Sequence, residues 1–307
     1  MKTIRVLSPV VLLIIVSLAC RWSAINAAGL QSNHTLTYQN LERSYILYTP
    51  ANLDSAQPAP VVFVLHGGGG NAENVIRRSA FNKIADEHGA FIVYPNGTGR
   101  SGDSLLTWNA GTCCGYAQEN NVDDVGFIRA VLKDLQTYTS INSKQIYGAG
   151  MSNGAMMSYR LACEASDIFA AIGPVSGTLN FSPCSPTQSV SVIHFHGTDD
   201  QHVPYEGGIG PESRVDVDFA SVQESLNFWV LFNGCDSQPQ TNSFDGGQHQ
   251  VWDGCGNSSS IELYTIIGGK HAWPGSAGPG WVGGDEPSQS ISATQLMWDF
   301  FTAHPKP

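Results

Sequence analysis

The chain has 307 residues, 42% of them hydrophobic, and a formal net charge of −11. This length is sufficient for one large domain whose core needs neither a metal nor a repeat scaffold. An acidic surface repels phosphate backbones and anionic lipid headgroups, which argues against nucleic acid as a partner and leaves neutral polymers and neutral esters open.

The first segment has the composition of a secretory signal peptide. Lys2 and Arg5 precede an apolar run over residues 6–19, and small residues follow as far as Ala28. The run is too short for a comfortable membrane span, and no later segment approaches the ~20 apolar residues that a spanning helix requires. This order of basic, apolar and small residues therefore predicts an exported protein without a membrane-spanning helix.

We predict that residues 1–27 are removed and that residues 28–307 form one secreted domain, either extracellular or periplasmic. Three basic residues would leave with the signal peptide, so the net charge would move from −11 to −14. Lipid attachment at Cys20 is the less favoured alternative, because Ser17 is a poor residue for such a site. The oligomeric state stays open.

Segments typical of strands and helices alternate from about residue 36 onward. Continuous apolar runs indicate strands buried on both faces, and Asp123 is placed to cap a helix with apolar residues at helical spacing. The predicted strands are 36–48 (one or two strands), 61–65, 91–94, 145–148, 169–175, 190–196 and 261–267. The predicted helices are 74–88, 123–135, 154–163, 221–232 and 293–304. This alternation predicts a single-domain α/β fold with a mainly parallel sheet and helices on both faces.

Six cysteines follow residue 27, and an even number in an exported chain indicates disulfides. The last two flank a stretch rich in Gly, Gln and Asn that resembles a hairpin. No cysteine spacing typical of a metal site is present, so we expect no metal. The predicted pairs are Cys235 with Cys255, Cys163 with Cys184 and, with a strained bond between neighbours, Cys113 with Cys114.

Residues 150–154 spell G-x-S-x-G around Ser152. A nucleophilic serine of this kind stands on a tight turn between a strand and a helix, and the flanking glycines leave room for that turn. The predicted strand 145–148 and helix 154–163 supply this setting. A small-residue turn without chemistry is the alternative.

A serine hydroxyl needs a base, and the base needs an acid that orients it. Residues 194–200, H-F-H-G-T-D-D, close one predicted strand, and residues 268–274, G-G-K-H-A-W-P, follow another. The chain order nucleophile, acid, histidine is that of α/β-hydrolases. It predicts His271 as the base and Asp199 or Asp200 as the acid. A packed loop histidine and an ordinary aspartate turn are the alternatives.

Two glycine-rich segments follow strands. Residues 66–70, H-G-G-G-G, place flexible backbone where a backbone N–H could stabilise an oxyanion together with the N–H of Asn153. A phosphate loop is the alternative, but its Lys and Ser/Thr are missing. Residues 97–102 spell G-x-G-x-x-G without a following helix, so we predict a loop.

Aromatic residues in loops near the proposed site could form a wall for an acyl group or a sugar ring, although such residues also pack within loops. Several further histidines lack ligand spacing and are predicted to be structural or solvated. The candidate wall residues are Trp108, Tyr205, Trp273 and Trp281. The further histidines are His34, His88, His194, His202 and His249.

Taken together, these strings resemble the secreted feruloyl esterase and polyhydroxybutyrate depolymerase branch of carbohydrate esterase family one, over about residues 45–304. The motifs that carry the resemblance are residues 65–69 (L-H-G-G-G), 113–115 (C-C-G), 122–127 (V-D-D-V-G-F), 150–154 (G-M-S-N-G), 196–200 (H-G-T-D-D), 203–205 (V-P-Y) and 271–275 (H-A-W-P-G). Lys270 stands where relatives often carry a glycine, which does not touch the catalytic roles.

The resemblance implies an α/β-hydrolase fold and a triad of Ser152, His271 and Asp200, the acid being the residue three before Val203. It further implies that Gly68, with Gly69 as the alternative, and Asn153 hold the oxyanion, with an acyl-serine intermediate and no cofactor. The implied substrate is a ferulic or acetyl ester of plant cell-wall polysaccharide, or a soluble phenolic ester.

Several alternatives remain. Three of them are enzymes: an extracellular polyhydroxybutyrate depolymerase, an acetylxylan esterase and a peptidase. The alternative from another class is a non-catalytic carbohydrate-binding protein on an esterase fold. Only about 15 residues separate the strands 169–175 and 190–196, so we expect no large lid. We also expect no appended binding module after the last helix.

Overall fold

The computed structural model describes residues 28–54, 56–102, 104–279 and 284–307. The predicted signal peptide lies outside these ranges. In chain order the strands are β1 (Leu30–Tyr38), β2 (Leu41–Thr49), β3 (Ala59–Leu65), β4 (Phe91–Pro95), β5 (Ile141–Met151), β6 (Ala171–Val175), β7 (Ser191–Gly197), β8 (Gln240–Phe244), β9 (Gly247–Trp252) and β10 (Ile261–Ile266). The helices are α1 (Ala72–Ser79), α2 (Phe81–His88), α3 (Gly115–Glu119), α4 (Asp124–Leu135), α5 (Asn153–Glu164), α6 (Val222–Asn233) and α7 (Ala293–Ala303), and a 3-10 turn lies at Gly256–Ser258.

The strands form one sheet in the order β1-β2-β4-β3-β5-β6-β7-β10-β9-β8. Its centre, from β4 to β10, is parallel, and antiparallel pairs flank it on both sides. Strands β6 and β7 are buried along their whole length, as their apolar sequences predict. Because β3, β5, β7 and β10 run in the same direction, their carboxyl ends meet at one edge of the sheet.

Helices cover both faces, which confirms the predicted α/β fold. Alternate residues of β3 point to opposite faces: Val62 and Val64 pack in one core cluster, Val61 and Phe63 in another. The first cluster includes residues of α1, α2 and α7, and the second includes residues of α4 and α5. Helix α6 packs with β7 and β10 in a third cluster. The 15-residue connection expected between β6 and β7 contains no helix or strand.

One predicted helix is two. The expected helix 74–88 is interrupted at Ala80, whose φ of 55° and ψ of 20° are left-handed. At this break the carbonyl of Ser79 accepts a hydrogen bond from the hydroxyl of Thr294 in α7. Because the partner comes from the distant end of the chain, local apolar spacing gives no sign of the interruption.

Three disulfides are present among the described residues, with the predicted pairing. Cys163 is joined to Cys184 and Cys235 to Cys255, and the neighbours Cys113 and Cys114 are joined to each other. The Cys235–Cys255 bridge closes the loop that contains the β8–β9 hairpin.

A buried ion pair ties the sheet to α4. Arg43 in β2 donates to Asp124 Oδ1 over 2.7 Å, and the two side chains are 2% and 0% exposed. Asp124 Oδ2 accepts from the backbone N–H of Asn109 over 2.8 Å, and the Arg43 guanidinium lies 3.9 Å from the centre of the Phe127 ring. The aspartate thereby fixes both a helix start and the loop before it.

We expect Asp124→Ala to lower the free energy of unfolding by about 3–5 kcal/mol, because it leaves a buried guanidinium without its counter-charge. Urea unfolding at neutral pH measures the change. The control is Glu87→Ala, which removes the exposed Lys83–Glu87 pair (3.6 Å) and is expected to cost less than about 1 kcal/mol. Equal costs for the two variants would contradict this account.

Candidate active site

Ser152 stands on a sharp turn between β5 and α5. Its φ of 58° and ψ of −124° are unusual for a residue with a side chain, and its N–H donates to the carbonyl of Val175 over 2.8 Å. A Cβ at Gly150 would lie 2.4 Å from the carbonyl oxygen of Gly154, and one at Gly154 would lie 2.4 Å from that of Leu65. Both glycines of G-x-S-x-G are therefore required by the close approach of β3, β5 and α5.

Asp200 and His271 meet beyond the ends of β7 and β10. His271 Nδ1 donates to Asp200 Oδ2 over 2.7 Å, and Asp200 Oδ1 accepts from the backbone N–H groups of His202 (2.9 Å) and Val203 (2.8 Å). Asp200 is 2% exposed. Burial alone would raise the pKa of this carboxyl, but the charge and hydrogen bonds of His271 and His196 outweigh it and hold the pKa well below its ordinary value.

Of the two aspartates that composition left open, Asp200 contacts His271, whereas Asp199 is exposed. The backbone N–H of Asp199 donates to the carbonyl of Gly269, which joins the two loops. Ser152 and His271 border the same cleft. The geometry thus brings together the three residues that the motifs singled out.

A row of buried polar groups behind Asp200 was not identified from the sequence. Tyr159 OH lies 2.8 Å from His194 Nδ1, and His194 Nε2 lies 3.0 Å from His196 Nδ1. His196 Nε2 lies 2.8 Å from the carbonyl oxygen of Val203 and 3.4 Å from Asp200 Oδ2. Since the carbonyl only accepts, His196 donates from Nε2 and accepts at Nδ1, which makes His194 donate to it and accept from Tyr159.

His194 and His196 were predicted differently: His194 as structural or solvated, His196 only as part of the loop motif. The structure buries both, at 0% and 1% exposure. Their spacing of two residues in a strand, which puts both on one face, is the signal that would have linked them. Burial lowers the pKa of His194 well below its ordinary value, which favours its neutral form in the core.

The glycine-rich segment after β3 is held by His66. Its Nε2 accepts from the N–H of Gly97 over 3.0 Å, its Nδ1 lies 2.8 Å from the carbonyl of Gly67, and its carbonyl accepts from Trp108 Nε1 over 3.0 Å. The N–H of Gly69 donates to Leu106 over 2.8 Å. That N–H is occupied, which favours Gly68 over Gly69 as an oxyanion donor.

Gly68 and Asn153 lie side by side. A Cβ at Gly68 would be 3.6 Å from Asn153 Cβ. The Asn153 side chain accepts from the N–H of Trp108 (2.7 Å) and donates to its carbonyl (3.0 Å), so the start of α5 is tied to the loop before α3. The segment 97–102 is a loop, as predicted, and Gly97 packs against Thr107.

The cleft at Ser152 has a volume of about 850 Å³, within the range of small-molecule sites. Of the predicted wall residues, Trp273 borders it, with only 2% of its surface exposed. Trp108 is completely buried and does not border it, because its backbone and indole are committed to Asn153 and His66. Tyr205 does not border it either; its hydroxyl lies 3.0 Å from Thr265 Oγ1. Trp281 lies outside the described residues.

Other cleft residues had no assigned role in the sequence. His202, predicted to be structural or solvated, borders the cleft, and its ring centre lies 4.9 Å from that of His271. The Cys113–Cys114 disulfide and Leu105, which is 74% exposed, also border it. Among the described residues, no helix is both long and apolar enough to span a membrane, and no cluster of His, Cys, Asp or Glu is arranged as a metal site.

A strained serine between strand and helix, a buried Asp–His pair and an α/β sheet with helices on both faces are the features of a serine hydrolase of α/β-hydrolase fold. A family model described as esterase PHB depolymerase matches residues 43–203. The chain belongs to this family.

Curated relatives agree with this assignment, and solved structures share the fold. The chain is 29% identical to feruloyl esterase B of Piromyces equi over 78% of its own length, but spans only 44% of that protein. It is 27% identical to feruloyl esterase C of Emericella nidulans, covering 91% of this chain and 92% of that one. An acetyl xylan esterase from Aspergillus awamori shares the fold with a TM-score of 0.61 at 17% identity, covering 89% of this chain and 99% of that one. A mutant feruloyl esterase module from Clostridium thermocellum, complexed with sinapinate, shares the fold with a TM-score of 0.53 at 15% identity. The match covers 90% of this chain and 88% of that one.

We expect stability to fall as the pH drops from about 6.5 to 4, because burial lowers the pKa of His66 to about 4. The unfolded chain binds a proton on this histidine below about pH 6.5 and the folded chain does not, so unfolding becomes easier across that window. Burial also lowers the pKa of His194, so this histidine likewise makes the folded state less stable as the pH falls.

His66 alone is expected to account for roughly 2–3 kcal/mol between pH 7 and about 4.5. Urea unfolding at the two pH values measures the loss in the wild type and in His66→Gln, whose loss should be smaller. An unfolding free energy that stays constant in the wild type would show that these histidines are not buried in the neutral form.

Proposed function

We propose that this chain is a secreted serine esterase in which Ser152 is the nucleophile, His271 its base and Asp200 the acid that orients the base. The observation that carries the proposal is the 2.7 Å hydrogen bond from His271 Nδ1 to Asp200 Oδ2, at a cleft that Ser152 also borders. With Nδ1 carrying the proton, Nε2 of His271 is the basic nitrogen.

In the proposed reaction Ser152 Oγ attacks the ester carbonyl carbon while His271 Nε2 takes the hydroxyl proton. The carbonyl oxygen becomes an oxyanion, which the backbone N–H groups of Gly68 and Asn153 stabilise. Collapse of this intermediate breaks the bond to the alcohol oxygen, and His271 returns the proton to the leaving alcohol. Asp200 stabilises the imidazolium in both steps.

Deacylation repeats the sequence with water. His271 takes a proton from water, the hydroxide attacks the acyl carbon, and the bond to Ser152 Oγ breaks as the proton returns to the serine. The low pKa of Asp200 supports this role, since the carboxylate stays charged at any pH at which the base is neutral.

The proposed substrate is a ferulic or acetyl ester on plant cell-wall polysaccharide. Relatives across most of the chain are named feruloyl esterases, and the cleft volume of about 850 Å³ accommodates a phenolic acyl group with part of its sugar. The irregular connection between β6 and β7 supplies no large lid of the kind that exposes apolar surface at a lipid interface. The family description makes polyester depolymerisation the second candidate.

Secretion is part of the proposal. It is supported by the composition of residues 1–27 and by three disulfides, which persist in oxidising compartments.

We expect Ser152→Ala and His271→Ala each to lower kcat on p-nitrophenyl acetate by on the order of 10⁴–10⁶, because the triad acts as a unit. Thermal unfolding of both variants verifies that they are folded. A folded Ser152→Ala protein that keeps a tenth of wild-type activity would contradict the assignment.

Matched aspartate variants provide the control. Asp200→Asn should lose activity by roughly 10⁴, since the amide stabilises the wrong tautomer of His271, while the exposed Asp199→Asn stays near wild type. A fluorophosphonate probe should label the wild type at Ser152. Failure to label a folded wild type would favour the non-catalytic carbohydrate-binding alternative.

We expect kcat/KM on methyl ferulate and p-nitrophenyl acetate to exceed that on p-nitrophenyl palmitate, because the connection between β6 and β7 contains no large lid of the kind that lipases use to bind long chains. Steady-state kinetics on the three esters, beside a polyhydroxybutyrate clearing assay, measure this preference. Rapid clearing with negligible ferulate turnover would instead identify a polyester depolymerase.

A further inference from the structure

Basic side chains gather at the mouth of the cleft, although the chain as a whole is acidic. The sequence has 26 acidic residues against 15 Lys and Arg. Arg77, Arg78, Arg100 and Arg214 border the cleft, and Glu119 is the one carboxylate that does so among the described residues. The residues that border the cleft therefore carry a net positive charge, opposite in sign to that of the whole chain.

The segments that supply the arginines also carry acids, none of which borders the cleft among the described residues. In the loop after β7, Arg214 borders the cleft, whereas its acidic neighbours do not. Acids do lie next to the cleft residues: Asp200 bonds His271, and Glu212 Oε2 and Asp285 Oδ2 lie 3.8 Å and 4.0 Å from His202 Nε2. In α1, Arg77 and Arg78 likewise border the cleft, whereas the acidic residue Glu73 of the same helix does not. The acids of the loop are Asp199, Asp200, Glu206, Glu212, Asp216 and Asp218.

The positive charge is not cancelled within the described residues. Arg100 pairs with Glu119 over 2.8 Å, which neutralises that arginine. Arg78 donates from Nη1 to the carbonyl of Gly278 over 3.0 Å, which positions its guanidinium without a counter-charge. Arg77 and Arg214 are exposed and form no ion pair with a carboxylate in the described part of the chain.

We propose that the cleft takes esters carried by an acidic polysaccharide, in which sugar carboxylates near the scissile ester bind Arg77, Arg78 and Arg214. This inference rests on the proposed esterase function and narrows its substrate class. A guanidinium matches the two oxygens of a carboxylate, and a concave site of one sign concentrates ligands of the other. A neutral polysaccharide has no carboxylates for these arginines to bind. The acidic outer surface repels an anionic chain, which favours its binding at the cleft.

The test compares an anionic with a neutral polymer as inhibitors of p-nitrophenyl acetate hydrolysis. Polygalacturonate oligomers should inhibit the full-length chain competitively at about tenfold lower concentration than dextran oligomers of the same length. The difference should shrink when sodium chloride is raised from about 20 to about 300 mM, because the groups at the mouth are exposed and screened by salt.

Matched variants locate the effect. Arg77→Gln combined with Arg214→Gln should weaken polygalacturonate inhibition about five- to tenfold relative to dextran, since two exposed ion pairs are lost. The control, Lys133→Gln combined with Lys144→Gln, makes the same change in net charge at exposed positions outside the cleft and should leave both inhibition constants unchanged.

Equal inhibition by the two polymers, or an equal loss in the lysine control, would overturn the inference while esterase activity stands. Calorimetric titration with polygalacturonate gives the affinity without turnover. A folded wild type that binds polygalacturonate through these arginines but hydrolyses no ester would support the binding inference and overturn the proposed function.

Discussion

The contact between the Ser152 turn and β3 is the constraint on which the site depends. Gly154 lies so close to the Leu65 carbonyl that no side chain fits between them, and Gly150 lies equally close to Gly154. This approach holds Ser152 at a positive φ at the edge of the sheet. It also places the start of α5 beside the glycine-rich segment that follows β3, so one close packing contact sets both the serine and its neighbouring backbone N–H groups.

Buried histidines connect the polar groups of this site through the core. His66 fixes the glycine-rich segment, and the row from Tyr159 through His194 and His196 ends at the carbonyl of Val203, in the loop that cradles Asp200. A ring that donates on one side and accepts on the other satisfies buried groups without burying a charge. The loop that holds the aspartate is therefore anchored in the interior of the domain.

Aromatic and basic side chains have different roles around the cleft. Trp108 is buried and does not border the cleft; its backbone holds the Asn153 side chain, and its indole N–H donates to the His66 carbonyl. Arginines occupy the mouth, where their charge stays accessible to solvent and to an approaching substrate. Buried aromatic side chains and arginines can lie close together here, because long basic side chains keep their charged ends in water.

Local patterns in the sequence were enough to predict the strand–turn–helix around Ser152, the alternation of strands and helices, and the order of the three motifs, since each depends on residues close together in the chain. The sequence did not separate Asp199 from Asp200 by composition, because the choice depends on which side chain points toward a loop about 70 residues away. Nor did it reveal the break at Ala80, the burial of Trp108 or the gathering of arginines. These were decided by tertiary structure, because each results from contacts or orientations between segments that are far apart in the chain.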